Sequence, residues 1–302
     1  MNINQLETLV TISKTMSFRK AGELLNLTQP AVSAQIKSLE DEFGTLLVDR
    51  NQPVTLTDSG KCFLEHAEKI LQTVVELKQR LADMSQIPQG HIHIGTTASI
   101  AMQILPRVLS YFQEEYPLIK TTIHSMTSSQ IMTAVENGVI DIGIAYLTDK
   151  NTTYEAAVLY YDTFELIVSV DHPLSQLTHV SIDKLRSLPF IMLSTDTAAR
   201  KFVDDIFKAY EIIPNVVMEL SSSEEVKRMV ELNLGVSIIS RLSAVNDLRN
   251  ASGKLRIIKV EEMDITHPVG VIYKSGRYLS SAMQQFLRDL KGMPETHFLG
   301  SE

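Results

Sequence analysis

Hydroxyl groups recur where β-rich runs of this chain give way to helical ones. Thr96, Thr97 and Ser99 stand at the end of HIHIGT, and Thr127, Ser128 and Ser129 follow IKTTIHSM. Tyr146 closes VIDIGIAY. Ser194, Thr195 and Thr197 follow PFIML, and Ser221, Ser222 and Ser223 follow VVMEL. In an α/β sheet such corners lie beyond the carboxyl ends of strands, beside the free N–H groups of helix N-termini. Any one cluster can be an N-cap and nothing more. Their convergence suggests a small polar or anionic ligand held by Thr97, Ser99, Ser128, Tyr146, Thr195 and Ser222. Arg200 and Arg241 are either counter-charges for it or ordinary surface residues.

A second set of groups lies in LTQPAVSAQIKSLED, residues 27–41. Val32, Ile36 and Leu39 make one apolar stripe at helical spacing. Thr28 suits the N-cap, and Pro30 suits the first turn, where its missing N–H costs nothing. The other face carries Gln29, Ser33, Ala34, Gln35 and Lys37. Neutral forks and hydroxyls read base edges in a major groove, while cations grip phosphates. Gln29, Ser33 and Gln35 are expected to do the first, and Arg19, Lys20 and Lys37 the second, with Thr28 and Pro30 also counted in the DNA-binding surface. Arg50 is expected to enter the adjacent minor groove. Each alone reads equally well as a solvated side chain; together they point to double-stranded DNA.

Other signals carry less. His91 and His93 share a strand face without an evident third ligand, so no metal is expected. Cys62 has no partner in the chain and reads as a packed thiol rather than a redox sensor. Asp141 reads as structural at the start of a strand. No nucleophile elbow, phosphate-binding loop or H-E-x-x-H motif occurs, so no catalytic residue and no cofactor is assigned.

The elements that must position these groups follow from periodicity. Leu6, Leu9 and Val10 mark a first helix, and Phe18, Ala21, Leu24 and Leu25 a second. A short turn at Leu27 and Thr28 leads into the third, which is a helix-turn-helix pattern. TLLVDRNQPVTLT then reads as a small hairpin, or wing, around Asn51, Gln52 and Pro53. Phe63, Ala67, Ile70, Val74, Leu77, Leu81 and Met84 recur at alternating steps of 4 and 3 along one long helix. Such a seam either packs on its own domain or pairs with a second copy, and its regularity favours pairing. Ile87, Pro88, Gln89 and Gly90 form a breaker cluster. Beyond it strands and helices alternate to the end: HIHIGT, IKTTIHSM, VIDIGIAY, ELIVSV, PFIML, VVMEL, VSIIS, RIIKV and PVGVIY, with a final helix from Tyr278 to Leu290.

The bulk properties are those of a globular protein, with 302 residues, 44% hydrophobic and 21% charged. No run approaches the ~20 apolar residues of a membrane helix. No secretory signal opens the chain, and its one cysteine rules out an internal disulfide. A cytoplasmic location away from membranes is the simplest expectation. The net charge of −8 argues against bulk attraction to nucleic acid, so DNA binding must rest on where the cations lie.

These residues are similar to those of the LysR-type transcriptional regulators. FRKAGELLNLTQPAVSAQIKSLEDEFGTLLVDR resembles the family's winged helix-turn-helix signature. LTDSGKCFLEHAEKIL resembles the start of its linker helix. IGTTAS, NGVIDIGIAY, DHPL and ELSSSEEVKRMVELNLGVSIIS resemble landmarks of its effector domain. Ala34 departs from the basic residue often found just after the helix serine, which shifts weight to Gln29, Ser33, Gln35 and Lys37. The resemblance implies an N-terminal all-α winged helix-turn-helix over 1–58, a linker and dimerisation helix over 59–86, and a hinge over 87–90. It implies an α/β effector-binding domain over 91–302, like a periplasmic binding protein, with two subdomains around a cleft. The chain would cross near Asp162 and Thr266, giving subdomain I as 91–161 with 267–302 and subdomain II as 162–266. The implied function is DNA-binding transcription regulation, not enzymatic, modulated by a small-molecule effector. The implied partners are promoter DNA, further copies of the chain as a dimer or tetramer, and RNA polymerase. An enzyme using the cleft and an architectural DNA-binding protein with a vestigial cleft are the rival readings.

Overall fold

The computed structural model describes residues 1–51, 53–84, 88–147, 153–244, 253–261, 263 and 266–294. The chain divides into two compact units, residues 1–85 and 86–302.

In the first unit, α1 (Ile3–Thr15) opens on a capping box in which Asn2 and Gln5 satisfy each other's backbone N–H groups. Ser17 caps α2 (Phe18–Leu25), which ends at Asn26 with a φ of 55°. The turn that follows is tight: a Cβ on Gly22 would lie 2.6 Å from the Leu27 carbonyl oxygen. Thr28 then caps α3 (Gln29–Phe43), with Pro30 in the first turn and Gly44 ending it at a φ of 65°. Val32, Ile36 and Leu39 are buried against Leu9, Ile12 and Ala21, and Leu47 and Val48 close the same core. Burial of each such side chain stabilises by about 1.5–3 kcal/mol. The wing is an antiparallel pair, β1 (Val48–Asp49) and β2 (Thr55–Leu56); Gln52 lies outside the described residues.

The apolar stripe of α4 (Asp58–Asp83) is not one surface. Ala67 is buried against Leu6 and Val10 of α1, with Phe63, Leu64 and Leu71 beside it. Ile70, Leu77, Leu81 and Met84 are exposed. Packing on its own domain therefore accounts for the first turns and leaves the later ones bare. Ile87 of the expected hinge lies outside the described residues, and Gly90 already belongs to the next strand.

The second unit is built on a sheet in the order β4-β3-β5-β12-β6-β11-β7, with β10 also pairing β6. Its strands are β3 (Gly90–Thr96), β4 (Ile119–Ser125), β5 (Ile142–Tyr146), β6 (Tyr154–Ser169), β7 (His179–Val180), β10 (Ser237–Ser240), β11 (Leu255–Val260) and β12 (Thr266–Lys274). Strands β4, β3 and β5 run parallel, and β5 is buried along its whole length, as its unbroken apolar run requires. Strands β8 (Pro189–Leu193) and β9 (Asn215–Leu220) form a separate parallel pair. Helices α5 (Ala98–Gln103), α6 (Leu105–Glu115), α7 (Ser128–Glu136), α8 (Ala198–Ala209), α9 (Ser223–Glu231) and α10 (Ser281–Gly292) connect and cover them.

Strand β6 is longer than ELIVSV alone. Its first part pairs β12 from Tyr154 to Thr163, and its last part pairs β10 and β11. The two long strands face each other at Asp162 and His267. The terminal helix starts at Ser281 rather than Tyr278, where the Ser280 hydroxyl caps it.

Candidate functional site

In the first unit Gln29, Pro30, Ala34 and Lys37 are exposed on α3, and Ser33 is half-buried beside them. Arg19, Gln29, Ser33 and Arg50 line one open depression together with Phe18, Pro53 and Val54. Lys37 sits on the neighbouring surface with Glu40, Asp41 and Arg50. Lys20 and Thr28 are exposed; Thr28 accepts from the Ala31 N–H at 3.4 Å and so acts as a cap. Arg19 makes only an exposed pair with Glu23, which holds it weakly.

Two of the expected DNA contacts are already engaged within the fold. Gln35 Oε1 accepts from the buried Thr8 hydroxyl at 2.5 Å, so its side chain joins α3 to α1 instead of facing outward. The reason is its place: residue 35 lies three after Val32 and four before Leu39, on the edge of the buried stripe. Arg50 donates from Nη2 to Glu40 Oε2 at 2.8 Å. The Glu40 carboxylate is buried and also accepts from the Leu47 and Val48 N–H groups at 2.9 and 3.1 Å. Arg50 thus pins the wing to α3, with its guanidinium half-exposed and over the Phe18 ring.

In the second unit the strand–helix corners converge on a cavity of about 320 Å³. Thr97, Ser99, Ser128, Tyr146 and Ser222 all line it. Thr195 does not: it is exposed, and Thr197, the N-cap of α8, takes its place. The first residues of α7, α8 and α9 lie in the wall, so three N-terminal dipole ends are directed there. Some hydroxyls serve the helices. Thr127, Thr197 and Ser222 accept from Gln130, Arg200 and Glu225 N–H groups. Others do not. Thr97 Oγ1 and Ser128 Oγ are buried with no hydrogen-bond partner among the described residues. A hydroxyl without a protein partner keeps its hydrogen bond for water or a ligand in the cavity.

No Lys, Arg or His lies among the described residues of the cavity wall. Arg200 is buried and held by Asp204, Glu219 and the Leu193 carbonyl. Arg241 pairs with Glu165 at 3.5 Å. Neither is a counter-charge for this cavity. A carboxylate that the sequence reading placed only at a chain crossing does belong here. Asp162 is fully buried and accepts from the Tyr146 hydroxyl at 2.7 Å, from the Ser240 hydroxyl, and from the Leu242 N–H at 3.4 Å. Burial raises its pKa, against these hydrogen bonds. Burial, then the neighbouring Asp162 charge, raises the Tyr146 hydroxyl. Ser243 Oγ donates to Ser99 Oγ at 3.1 Å, tying the segment after β10 to the corner after β3.

The helix-turn-helix region, residues 3–61, matches the family described as bacterial regulatory helix-turn-helix protein, lysR family. Residues 85–293 match the LysR substrate binding domain. The chain belongs to the LysR family of transcriptional regulators. It is 32% identical to a probable RuBisCO transcriptional regulator of Phaeodactylum tricornutum over 298 residues, 96% of each chain. Its effector half is similar to the CcmR regulatory domain of Synechocystis, solved in complex with 2-PG. That likeness has 25% identity and a TM-score of 0.63, over 67% of this chain and 96% of that one. Full-length CbnR complexed with its target DNA shares the fold at a TM-score of 0.70 and 17% identity, over 96% and 99% of the two chains.

The remaining side groups of this LysR regulator are placed as follows. Asp141 is structural, accepting from the His93 N–H at 2.7 Å and pairing with the buried Arg277. His91 bonds Thr122 at 2.7 Å, and His93 meets His124 at 3.3 Å. Burial lowers the His93 pKa. Among the described residues no group of three or more His, Cys, Asp or Glu is arranged to hold a metal ion. Cys62 is exposed rather than packed, because it falls one residue outside the stripe that begins at Phe63.

Proposed function

We propose that this LysR-family regulator reads operator bases with Gln29 and Ser33, and grips phosphates with Arg19, Lys20 and Lys37. We place the DNA-binding domain at 1–58, the linker helix at 59–86 and the effector-binding domain at 91–302, with the chain crossing between subdomains at Asp162 and Thr266. A small polar or anionic effector binds among Thr97, Ser99, Ser128, Tyr146, Thr197 and Ser222. The observation that carries this is the pair of buried, unpartnered hydroxyls on Thr97 and Ser128 in a cavity faced by three helix N-termini. The 2-PG complex of the CcmR regulatory domain supports a ligand of this kind and makes 2-PG the first probe. The exposed Ile70, Leu77 and Leu81 of α4, with Met84 just beyond it, pair with a second copy, giving a dimer and, through further contacts, a tetramer. The regulator works in the cytoplasm at promoters and acts on RNA polymerase. Effector binding shifts the balance between two arrangements of the assembly, and DNA binding shifts with it.

The experiment measures operator affinity and its response to 2-PG and small carboxylates on one protein. Ser128→Ala is expected to keep effector-free operator binding and to weaken the effector by about 0.5–1.5 kcal/mol. Full effector response in both Thr97→Val and Ser128→Ala would move the sensing site elsewhere.

A further inference from the structure

We infer that Asp162 holds the hydroxyl hydrogens of Tyr146 and Ser240, turns that wall of the cavity into hydrogen-bond acceptors, and so selects an anion carrying a hydroxyl group over the same anion without one. The inference rests on the cavity being the effector site.

An ionised carboxylate only accepts hydrogen bonds, and a hydroxyl has one hydrogen to give. The Tyr146 and Ser240 hydroxyls both donate to Asp162 Oδ2. Ser240 Oγ also accepts from the Ser243 N–H at 3.4 Å, which fixes its direction further. What these two oxygens still offer is lone pairs. A carboxylate or phosphate oxygen brought against them would meet lone pair with lone pair, whereas a ligand O–H would be satisfied there. The Thr97 and Ser128 side of the cavity has the opposite character. Ser128 is 4% exposed and its Oγ has no partner among the described residues, so its hydrogen remains to be given to an acceptor. The same holds for Thr97 Oγ1. The cavity is therefore polarised, with donors for an anion on one side and acceptors for a hydroxyl on the other. Among the described residues no cation in the wall offers a simpler, charge-only way to hold an acid. The ligand class that satisfies both sides is a small hydroxy acid or a phosphate bearing a free hydroxyl.

A site built to pair a ligand hydroxyl rejects the analogue lacking it, because its own groups are then left unpaired. Calorimetric titration of the full-length protein with matched pairs tests this: glycolate against acetate, lactate against propionate, with alanine as the ammonium analogue and sulfate as a bare anion. The expected result is at least about tenfold tighter binding of one hydroxy acid than of its partner. Asp162→Asn places an amide nitrogen against the same oxygens and releases their hydrogens; the preference should fall below about threefold. Should that variant fail to fold, Ser240→Ala removes one acceptor and should reduce the preference. Equal binding of the matched pairs would overturn the inference while leaving the effector site in place, and so would tighter binding of alanine or an unchanged preference in Ser240→Ala. Failure of every anion to bind, sulfate included, would overturn the effector site and the inference with it.

Discussion

Glu40 in the first unit and Asp162 in the second are both buried carboxylates, and they are satisfied in opposite ways. Glu40 accepts from two backbone N–H groups of the wing and carries a cation, Arg50. Asp162 accepts from two hydroxyls and a backbone N–H, and among the described residues no cation pairs with it. Glu40 therefore acts as a clamp: charge is balanced, the wing is fixed to α3, and nothing is left over for a ligand. Asp162 polarises groups that themselves line a cavity. The cation marks the difference between a structural carboxylate and one that sets the character of a site.

A carboxylate introduced with neither kind of partner gives the largest contrast. Ala67 is buried between α4 and α1 against Leu6 and Val10. Ala67→Glu should destabilise the first unit by about 4–5 kcal/mol, since a buried charge without partners is uncompensated. Leu77→Glu, ten residues along the same stripe, lies on an exposed position and should leave the fold intact while breaking self-association. Thermal unfolding reads the first, and sedimentation at rising concentration reads the second. A stable, folded Ala67→Glu protein would sink the division of the α4 stripe.

Removing the clamp comes next. Glu40→Ala leaves Arg50 unpaired and two wing N–H groups without acceptors, at a cost of about 3–4 kcal/mol. Hydrogen exchange at the Leu47 and Val48 amides should rise together. Unchanged protection there would mean that the wing is held by its apolar contacts alone.

The clamp also shows where the sequence stopped being informative. Caps and stripes are local, so Thr28, Pro30 and the Val32–Ile36–Leu39 face were legible, and so were the corners that bear Thr97, Ser128 and Ser222. Arg50 looked like a free cation because its partner lies ten residues back on another element. Thr195 and Thr197 look alike in sequence, and only the register of α8 chooses the cap. The first part of β6 was not read as a strand. Glu155, Ala156 and Ala157 break its strand signal before Val158, Tyr160 and Tyr161, and pairing with the distant β12 makes one strand of the whole run. Asp162 carried one signal that went unused: it is a lone acid between aromatic residues in YYDTF.

Acid sharpens the comparison further. Burial lowers the His267 pKa beside Phe202 and Tyr146, so the folded state disfavours its charged form. Its stabilising contribution is present above about pH 6.5 and is lost as pH falls from there through the lower folded value. Asp162 has the reverse sign: its pKa is raised, so its contribution is present below the ordinary carboxylate range and lost as pH rises through the folded value. His267→Phe should flatten the fall of unfolding stability as pH drops below about 6.5, by at most about 1.4 kcal/mol per pH unit. Asp162→Asn should change the slope in the opposite direction, from the ordinary carboxylate range upward. Unfolding curves of the two variants with parallel pH slopes would contradict both assignments.

The smallest effect separates two glutamines on one helix. Gln29 is exposed in the depression with Ser33 and Arg19. Gln35 is tied to the buried Thr8. If exposure leaves a side chain for the partner and burial commits it to the fold, the two Ala variants should fail in different assays. Gln35→Ala should lower the stability of the first unit by about 1 kcal/mol, the net worth of one hydrogen bond, with base preferences on the operator unchanged. Gln29→Ala should leave stability within about 0.5 kcal/mol and weaken specific binding by about 1–3 kcal/mol, with non-specific binding nearly intact. The discriminating quantity is the ratio of specific to non-specific affinity at one salt concentration, because phosphate contacts cancel in it. A fall of that ratio in Gln35→Ala equal to the fall in Gln29→Ala would return Gln35 to the DNA-reading face and break the rule drawn from Glu40 and Asp162.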